Sequence, residues 1–290
     1  MKKILLTGTT GFIGKHLLDY FLKKNYFIFA LFRKSKKNIR FAKEYKINKN
    51  FKSIIFSDIH DLMKQLSNYK IDYVIHAATY YVKNHKSTDI KKIIESNILF
   101  PTIIADLLCN KKIKKFINFG TVWQHYNNKK DYAYNLYASS KQGFNNIFNY
   151  YKNQFSETKF YNLLISDTFG KNDKRNKLIP IIIKNYYKKI ITNIPKNLSV
   201  NLVNVQYIVK TIEVIINKNI KPKTYVIKDK KNLKIFDLIN YLNQKLKNEI
   251  KINWTKNKII NQKIVNFNTI NLTKKNNSKK EILDLFNENI

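Results

Sequence analysis

The chain reads as an α/β protein built on a doubly wound parallel sheet, with a smaller lobe toward its C-terminus. Three observations predict this. Short apolar runs alternate with longer amphipathic stretches through the first 165 residues, a glycine-spaced turn follows the first run, and the alternation fades beyond Ser166. The runs at 3–7, 27–32, 51–56, 73–77, 115–119 and 159–165 have the length and the β-branched or aromatic content of buried strands. Between them, 13–24, 59–68, 90–109 and 138–155 carry apolar residues at helical spacing. Strands separated by helices pair in parallel, and right-handed crossovers bring their carboxyl ends to one edge. Residues 1–165 are therefore expected to form the sheet domain and 166–290 a smaller substrate-binding lobe. The lobe should hold a helix near 179–191, a polar lysine-rich loop over 261–278 whose Ile264, Val265 and Phe267 can supply an edge strand, and a terminal helix at 281–285. Pro and Gly number only 4 and 6, so the two parts should pack together rather than hang on a flexible linker. No internal repeat is visible.

The glycine turn is the first feature with chemistry in it. Gly8, Gly11 and Gly14, within Thr7-Gly8-Thr9-Thr10-Gly11-Phe12-Ile13-Gly14, fall where a strand gives way to a helix. Backbone N–H groups and the positive helix end can then face a pyrophosphate, with Thr10, Phe12 and Ile13 in the same cradle. A side chain at Gly8 or Gly11 would obstruct that approach. The second feature is Tyr137 with Lys141, four residues apart and so on one face of a helix. A phenol ionises at about pH 10, so acting near neutrality requires lowering its pKa by about 3 units, roughly 4 kcal/mol. Lys141 and the positive charge of a nicotinamide can supply that. Together the two features point to hydride chemistry on a carbonyl or alcohol. At the end of the second strand, where an acidic residue would hold the ribose hydroxyls of NAD, the chain has Arg33 and Lys34. That substitution fits a 2′-phosphate and hence NADP, with NAD the other candidate; stacking of Arg33 on adenine is the alternative.

With Asp58-Ile59, His76-Ala77-Ala78 and Asn97 added, these motifs resemble the extended short-chain dehydrogenases/reductases, in the NAD-dependent epimerase/dehydratase family that modifies nucleotide sugars. The resemblance runs nearly the whole chain and implies a Rossmann-type fold. Within that family, 12–18 and 176–180 are similar to enzymes of the CDP-abequose synthase kind, which reduce a 4-keto sugar nucleotide. By this resemblance Asp58 and Ile59 contact adenine, Ala77 and Ala78 make room where the dinucleotide passes the fourth strand, and Asn97, on the helix after that strand, is counted with the cofactor-binding residues and anchors that region by backbone contacts. Lys141 binds the nicotinamide ribose, while Tyr137 gives a proton to the sugar oxygen as hydride reaches carbon. The chain departs from the family where a third catalytic hydroxyl is usual: Phe119 stands there, and Thr121 is the nearest substitute. The acidic pair of family dehydratases is replaced by Val122 and Trp123, which disfavours elimination of water. Substrate contacts are expected from Thr79, Tyr80 and Tyr81 after the fourth strand and from Trp123, Gln124, His125 and Tyr126 after the fifth. Asp167 and Thr168 open the lobe, and Arg175, Asn176 and Lys177 can meet a nucleotide pyrophosphate. Neither His76 nor His125 has metal-ligand spacing, and no metal is expected.

Composition narrows the classes further. The single cysteine, Cys109, excludes an internal disulfide and a four-cysteine metal site, and fits a reducing compartment. No run of 18 apolar residues exists, since even 179–194 is broken by Lys184, Lys188 and Lys189, so no membrane span is expected. Met1-Lys2-Lys3 and the apolar residues after it begin like a signal peptide, but the glycines cut that core short, leaving a cytoplasmic location as the expectation. A formal net charge of +36 would prompt a search for nucleic acid. Only Arg33, Arg40 and Arg175 are arginines, however, and bidentate phosphate and base recognition favours arginine. The lysines are spread beside Asn and Ile, as A/T-rich coding produces, so no specific nucleic-acid partner is expected. The expected partners are a nucleotide-sugar substrate and a second copy, as a homodimer. The leading expectation is NADPH-dependent reduction of a nucleotide-linked 4-keto hexose. An NAD-dependent 4-epimerase is the near alternative, and a catalytically reduced RNA-binding or assembly protein is the alternative from another class.

Overall fold

Along β1 (Lys3–Thr7), Ile4 and Leu6 face one side of the sheet and Leu5 the other, and this period of two sorts the core into two layers. The computed structural model describes residues 1–130, 132–256, 263 and 277–288. β2 (Phe27–Arg33), β3 (Phe51–Phe56), β4 (Tyr73–His76), β5 (Lys115–Thr121) and β6 (Lys159–Ile165) join β1 and a late strand, β11 (Thr224–Ile227), in one seven-stranded sheet. Its order is β3-β2-β1-β4-β5-β6-β11 and every pairing is parallel. The order reverses between β1 and β4, and a crevice opens there outside the carboxyl ends of the strands.

The Ile4 and Leu6 layer is covered by α1 (Phe12–Lys23), α2 (Lys36–Tyr45) and α8 (Val205–Asn217). The Leu5 layer lies under α3 (Ile59–Ser67), α5 (Phe100–Cys109) and α6 (Leu136–Gln154). Helix α2 was not foreseen; Ser35 caps it by accepting from Asn38 N–H, and Phe41, Ala42 and Tyr45 give it an apolar face. The helix expected over 90–109 is interrupted. α4 (Ile90–Ile94) passes into a π turn (Glu95–Leu99) before α5, with Phe100 N–H bonded to Glu95 C=O. Pro101 explains the interruption: it has no N–H for the carbonyl four residues back, and the widened turn absorbs the misfit. β5 runs two residues past its expected end, to Thr121.

After Ser166 the chain builds the lobe and also returns to the sheet, because α8 and β11 complete the large domain. The division expected at 165/166 therefore does not coincide with the edge of the sheet. In the lobe, β7 (Asp167–Phe169) pairs with β10 (Leu202–Asn204), β8 (Thr192–Pro195) with β13 (Ile252–Thr255), and β9 (Ser199–Val200) with β12 (Leu233–Lys234). α7 (Leu178–Tyr187), α9 (Ile235–Asn243) and α10 (Ser278–Asn287) close a separate core around Phe169, Ile179, Leu238, Ile282 and Phe286. α7 stops four residues short of 191 because Lys189 turns left-handed, at φ +58°, and Ile190 N–H closes on Asn185 C=O. The edge strand expected at Ile264, Val265 and Phe267 lies outside the described residues. No helix among the described residues is long and apolar enough to cross a membrane.

Two glycines let β1 meet α1. Gly8 has φ +73°, and a Cβ on it would lie 2.6 Å from Ala78 N; a Cβ on Gly14 would lie 2.0 Å from Gly8 O. Gly14→Ala should therefore overpack the turn and cost about 2–3 kcal/mol, read as a lower urea midpoint with an unchanged slope.

Candidate active site

The crevice holds two grooves that meet at Tyr137. The first runs from the end of β2 over the glycine turn, between Ala77 and Ala78 on one side and Thr121, Tyr137 and Lys141 on the other. Thr10, Phe12 and Ile13 also line it. Within it Gly11 is the open glycine, since a Cβ there would meet only Gly8 O, at 3.2 Å. The second groove runs from Tyr137 into the lobe, past Lys83, Asn176, Leu202 and Lys228. Thr168, Asp167, Arg175, Lys177, Trp123 and Tyr81 border both.

Helix α6 is aimed by its cap. Asn135 accepts from Ala138 N–H at 3.0 Å, and its amide donates to Lys83 C=O at 3.0 Å. One turn on, Ser140 donates to Tyr137 C=O and receives a bond from Asn97, which is fully buried in the π turn. The Asn97 carboxamide is fully used: Oδ1 accepts from Thr79 O–H at 2.8 Å and Tyr80 N–H at 2.9 Å, while Nδ2 donates to Tyr80 C=O and Ser140 Oγ, both at 3.0 Å. Asn97 thus stands behind the groove wall, tying the segment after β4 to α6.

Burial governs the ionisation of this region. Lys141 is 2% exposed, and burial pushes its ammonium down to about 8. Burial likewise pushes the half-buried Tyr137 phenol up to about 12, with the Thr79 hydroxyl opposing and Tyr81 and Asp167 adding to it. The protein's own groups therefore keep this phenol protonated at neutral pH, opposite to the lowering expected from Lys141. His76, fully buried with Nδ1 3.0 Å from Thr7 Oγ1, is held neutral by burial and by Lys141.

The remaining candidates divide. Thr121 ends β5 on the first groove; its Oγ1 accepts from Trp123 N–H, while Gln124 Oε1 accepts from Thr121 N–H at 2.8 Å. This reciprocal cap turns Gln124 inward to Gln142, so neither it nor the buried His125 borders a groove. Trp123 does, packed against Tyr126 and Tyr134. Phe119 lines the first groove beside Thr121. Arg33 lies at its far end, 5.6 Å from the Phe100 ring centroid. Asp58 instead caps α3, accepting from Asp61 N–H at 2.9 Å, and neither it nor exposed Ile59 lines the groove. Arg175 is held in a two-pronged bond to buried Asp173 (2.7 Å each), bonds Thr168, and stacks 4.0 Å from the Phe12 centroid. Sequence reasoning passed over the lining residues Ser166, Lys83 and Lys228; Ser166 and Lys228 directly follow β6 and β11, a position that is itself a signal. Among the described residues no His, Cys, Asp and Glu cluster could hold a metal.

A glycine turn at the sheet's switch point, with a tyrosine and a lysine from one helix across the groove, defines a Rossmann-type protein shaped for a dinucleotide. Residues 4–227 match the profile of the NAD dependent epimerase/dehydratase family, and the chain belongs to that family. It is 33% identical to CDP-abequose synthase of Salmonella muenchen over 63% of this chain and 59% of that one. To CDP-abequose synthase of Salmonella typhimurium it is 30% identical, over 64% of this chain and 60% of that one. The match thus spans about three fifths of those relatives' own lengths. Among solved structures, UDP-glucuronic acid 4-epimerase of Bacillus cereus in complex with UDP-glucuronic acid and NAD has a TM-score of 0.78 at 19% identity, covering 99% of this chain and 100% of that one, a likeness of fold.

Lys141 has a stability signature. An unfolded lysine keeps its proton up to a pKa of 10.5 and the folded one only to about 8, so between these the unfolded state binds more protons and stability rises with pH. Lys141→Met should raise stability at pH 7 by on the order of 3 kcal/mol and flatten that rise. Urea unfolding of both proteins across pH 7 to about 10.5 gives the difference, in which the other lysines cancel.

Proposed function

We propose that the chain is a nucleotide-sugar 4-ketoreductase that uses NADPH. The observation that carries this reading is the place of Tyr137, whose phenol lies where a groove over the glycine turn meets a groove that opens into the lobe. In reduction the Tyr137 phenol gives up its proton as hydride arrives at carbon. The alkoxide left by reducing a ketone is a stronger base than a phenolate, so proton transfer from Tyr137 runs downhill. When bound, reduced nicotinamide supplies the hydride. The open backbone at Gly11 and the small Ala77 and Ala78 fit a dinucleotide, in a turn that Gly8 and Gly14 allow to close on itself. Lys141 would hold its ribose, and Thr121, on the same groove, is the hydroxyl that would polarise the carbonyl. Trp123 supplies a wall for the hexose, and Lys83, Lys177 and Lys228 complement a diphosphate in the second groove. Arg33, at the end of β2 beside the capped N-terminus of α2, favours a 2′-phosphate. Such a reductase would work in the cytoplasm, and exposed Ile90, Ile94 and Leu99 support pairing as a homodimer.

Likeness in fold to a 4-epimerase bound to NAD favours a second reading, an NAD-dependent 4-epimerase. An epimerase would emerge from purification with NAD held tightly, whereas a reductase consumes one NADPH per product. Steady-state NADPH consumption with CDP-, dTDP-, GDP- and UDP-linked 4-keto hexoses tests the first reading and identifies the nucleotide. Tyr137→Phe should bind NADPH normally while kcat falls about 10²–10⁴-fold; retained turnover would remove Tyr137 from the chemistry. Arg33→Asp should move the kcat/KM ratio from NADPH toward NADH, and an unmoved ratio would defeat the 2′-phosphate assignment.

A further inference from the structure

We propose that Asp167 is a specificity residue, whose carboxylate at the meeting point of the two grooves makes the site accept a nucleotide-linked neutral hexose and reject a hexuronate. This rests on the nucleotide-sugar reading above. Asp167 opens β7 and borders both grooves together with Tyr137 and Trp123. Its carboxylate has no hydrogen-bond or ion-pair partner among the described residues. Of the cations around it, Arg175 grips Asp173 and Thr168, while Lys177, 4.0 Å from the Tyr81 centroid, and Lys83 act on it only through space. Burial raises the Asp167 carboxyl above its ordinary value, with Lys177, Arg175 and Lys83 opposing from a distance.

A half-buried acceptor without a protein donor is costly unless a ligand supplies one. The hydroxyls of a hexose are such donors. A hexuronate places a second carboxylate two bonds from C4, the carbon that Tyr137 faces in the proposed reaction. Two carboxylates sharing one site cannot both stay ionised without a large penalty, so the uronate is disfavoured by repulsion rather than by a missing contact. The acid comes from the end of β6 into β7, away from the Val122-Trp123 position where the family's dehydratases carry theirs.

Titration calorimetry on the whole protein with CDP, UDP, dTDP and GDP first finds the nucleotide that binds. Its glucose and glucuronic acid conjugates are then compared in the wild type and in Asp167→Asn, a variant of the same shape. The expected result is at least 30-fold weaker binding of the glucuronic acid conjugate by the wild type, narrowing at least tenfold in the variant. An equal preference in the two proteins overturns the role of Asp167 while leaving the nucleotide-sugar reading standing. Failure of all four nucleoside diphosphates to bind overturns that reading and this inference with it.

Discussion

The buried carboxamide of Asn97 is the joint on which the active edge depends. Its four hydrogen bonds join the π turn, the Thr79-Tyr80 segment and the first turn of α6. An apolar side chain of equal size would take both side-chain bonds from the Tyr80 peptide and one each from the Thr79 and Ser140 hydroxyls. The position exists because Pro101 widens the helix there, turning Asn97 inward. Held this way, α6 presents Tyr137 and Lys141 to the glycine turn, and the segment after β4 closes the other side.

Burial, rather than the chain's net charge, sets protonation in this site. Although the sequence carries +36, exposed lysines farther than about 10 Å are screened and act mainly on encounter with anionic ligands. Inside, Lys141 is driven toward neutrality and the Tyr137 phenol away from ionisation, each chiefly by desolvation. Arg175 shows the other use of charge. Paired with Asp173 and stacked on Phe12, it links the helix after the glycine turn to the segment that opens the lobe. A guanidinium so committed works as a brace between the two grooves.

Much of this was legible in the residues, and the parts that were not share a cause. Strand runs, the glycine turn and the Tyr137–Lys141 spacing are local patterns, and the six early strands formed where the pattern put them. Local pattern does not say which way a residue just past a strand points. Gln124 and His125 follow β5 as Trp123 does, yet the cap between Thr121 and Gln124 turns them inward while Trp123 stays on the groove. Asp58 follows β3 as Arg33 ends β2, but its carboxylate is taken up by the first turn of α3. Helix α2 had its signal in Ser35 and the apolar Phe41, Ala42 and Tyr45, hidden among basic neighbours.

By itself the sequence determined the parallel sheet and the two chemical poles of the groove, because periodicity and glycine spacing act over a few residues, and its motifs carried the resemblance to the family. Only the tertiary structure decided that β11 and α8 return to the sheet, that Asn97 braces the site from behind, and that Asp167 stands unpartnered beside Tyr137. Those outcomes rest on pairings between residues distant in the chain, as from Asn97 to Ser140 or from β11 to β6, and such pairings leave no trace in local spacing.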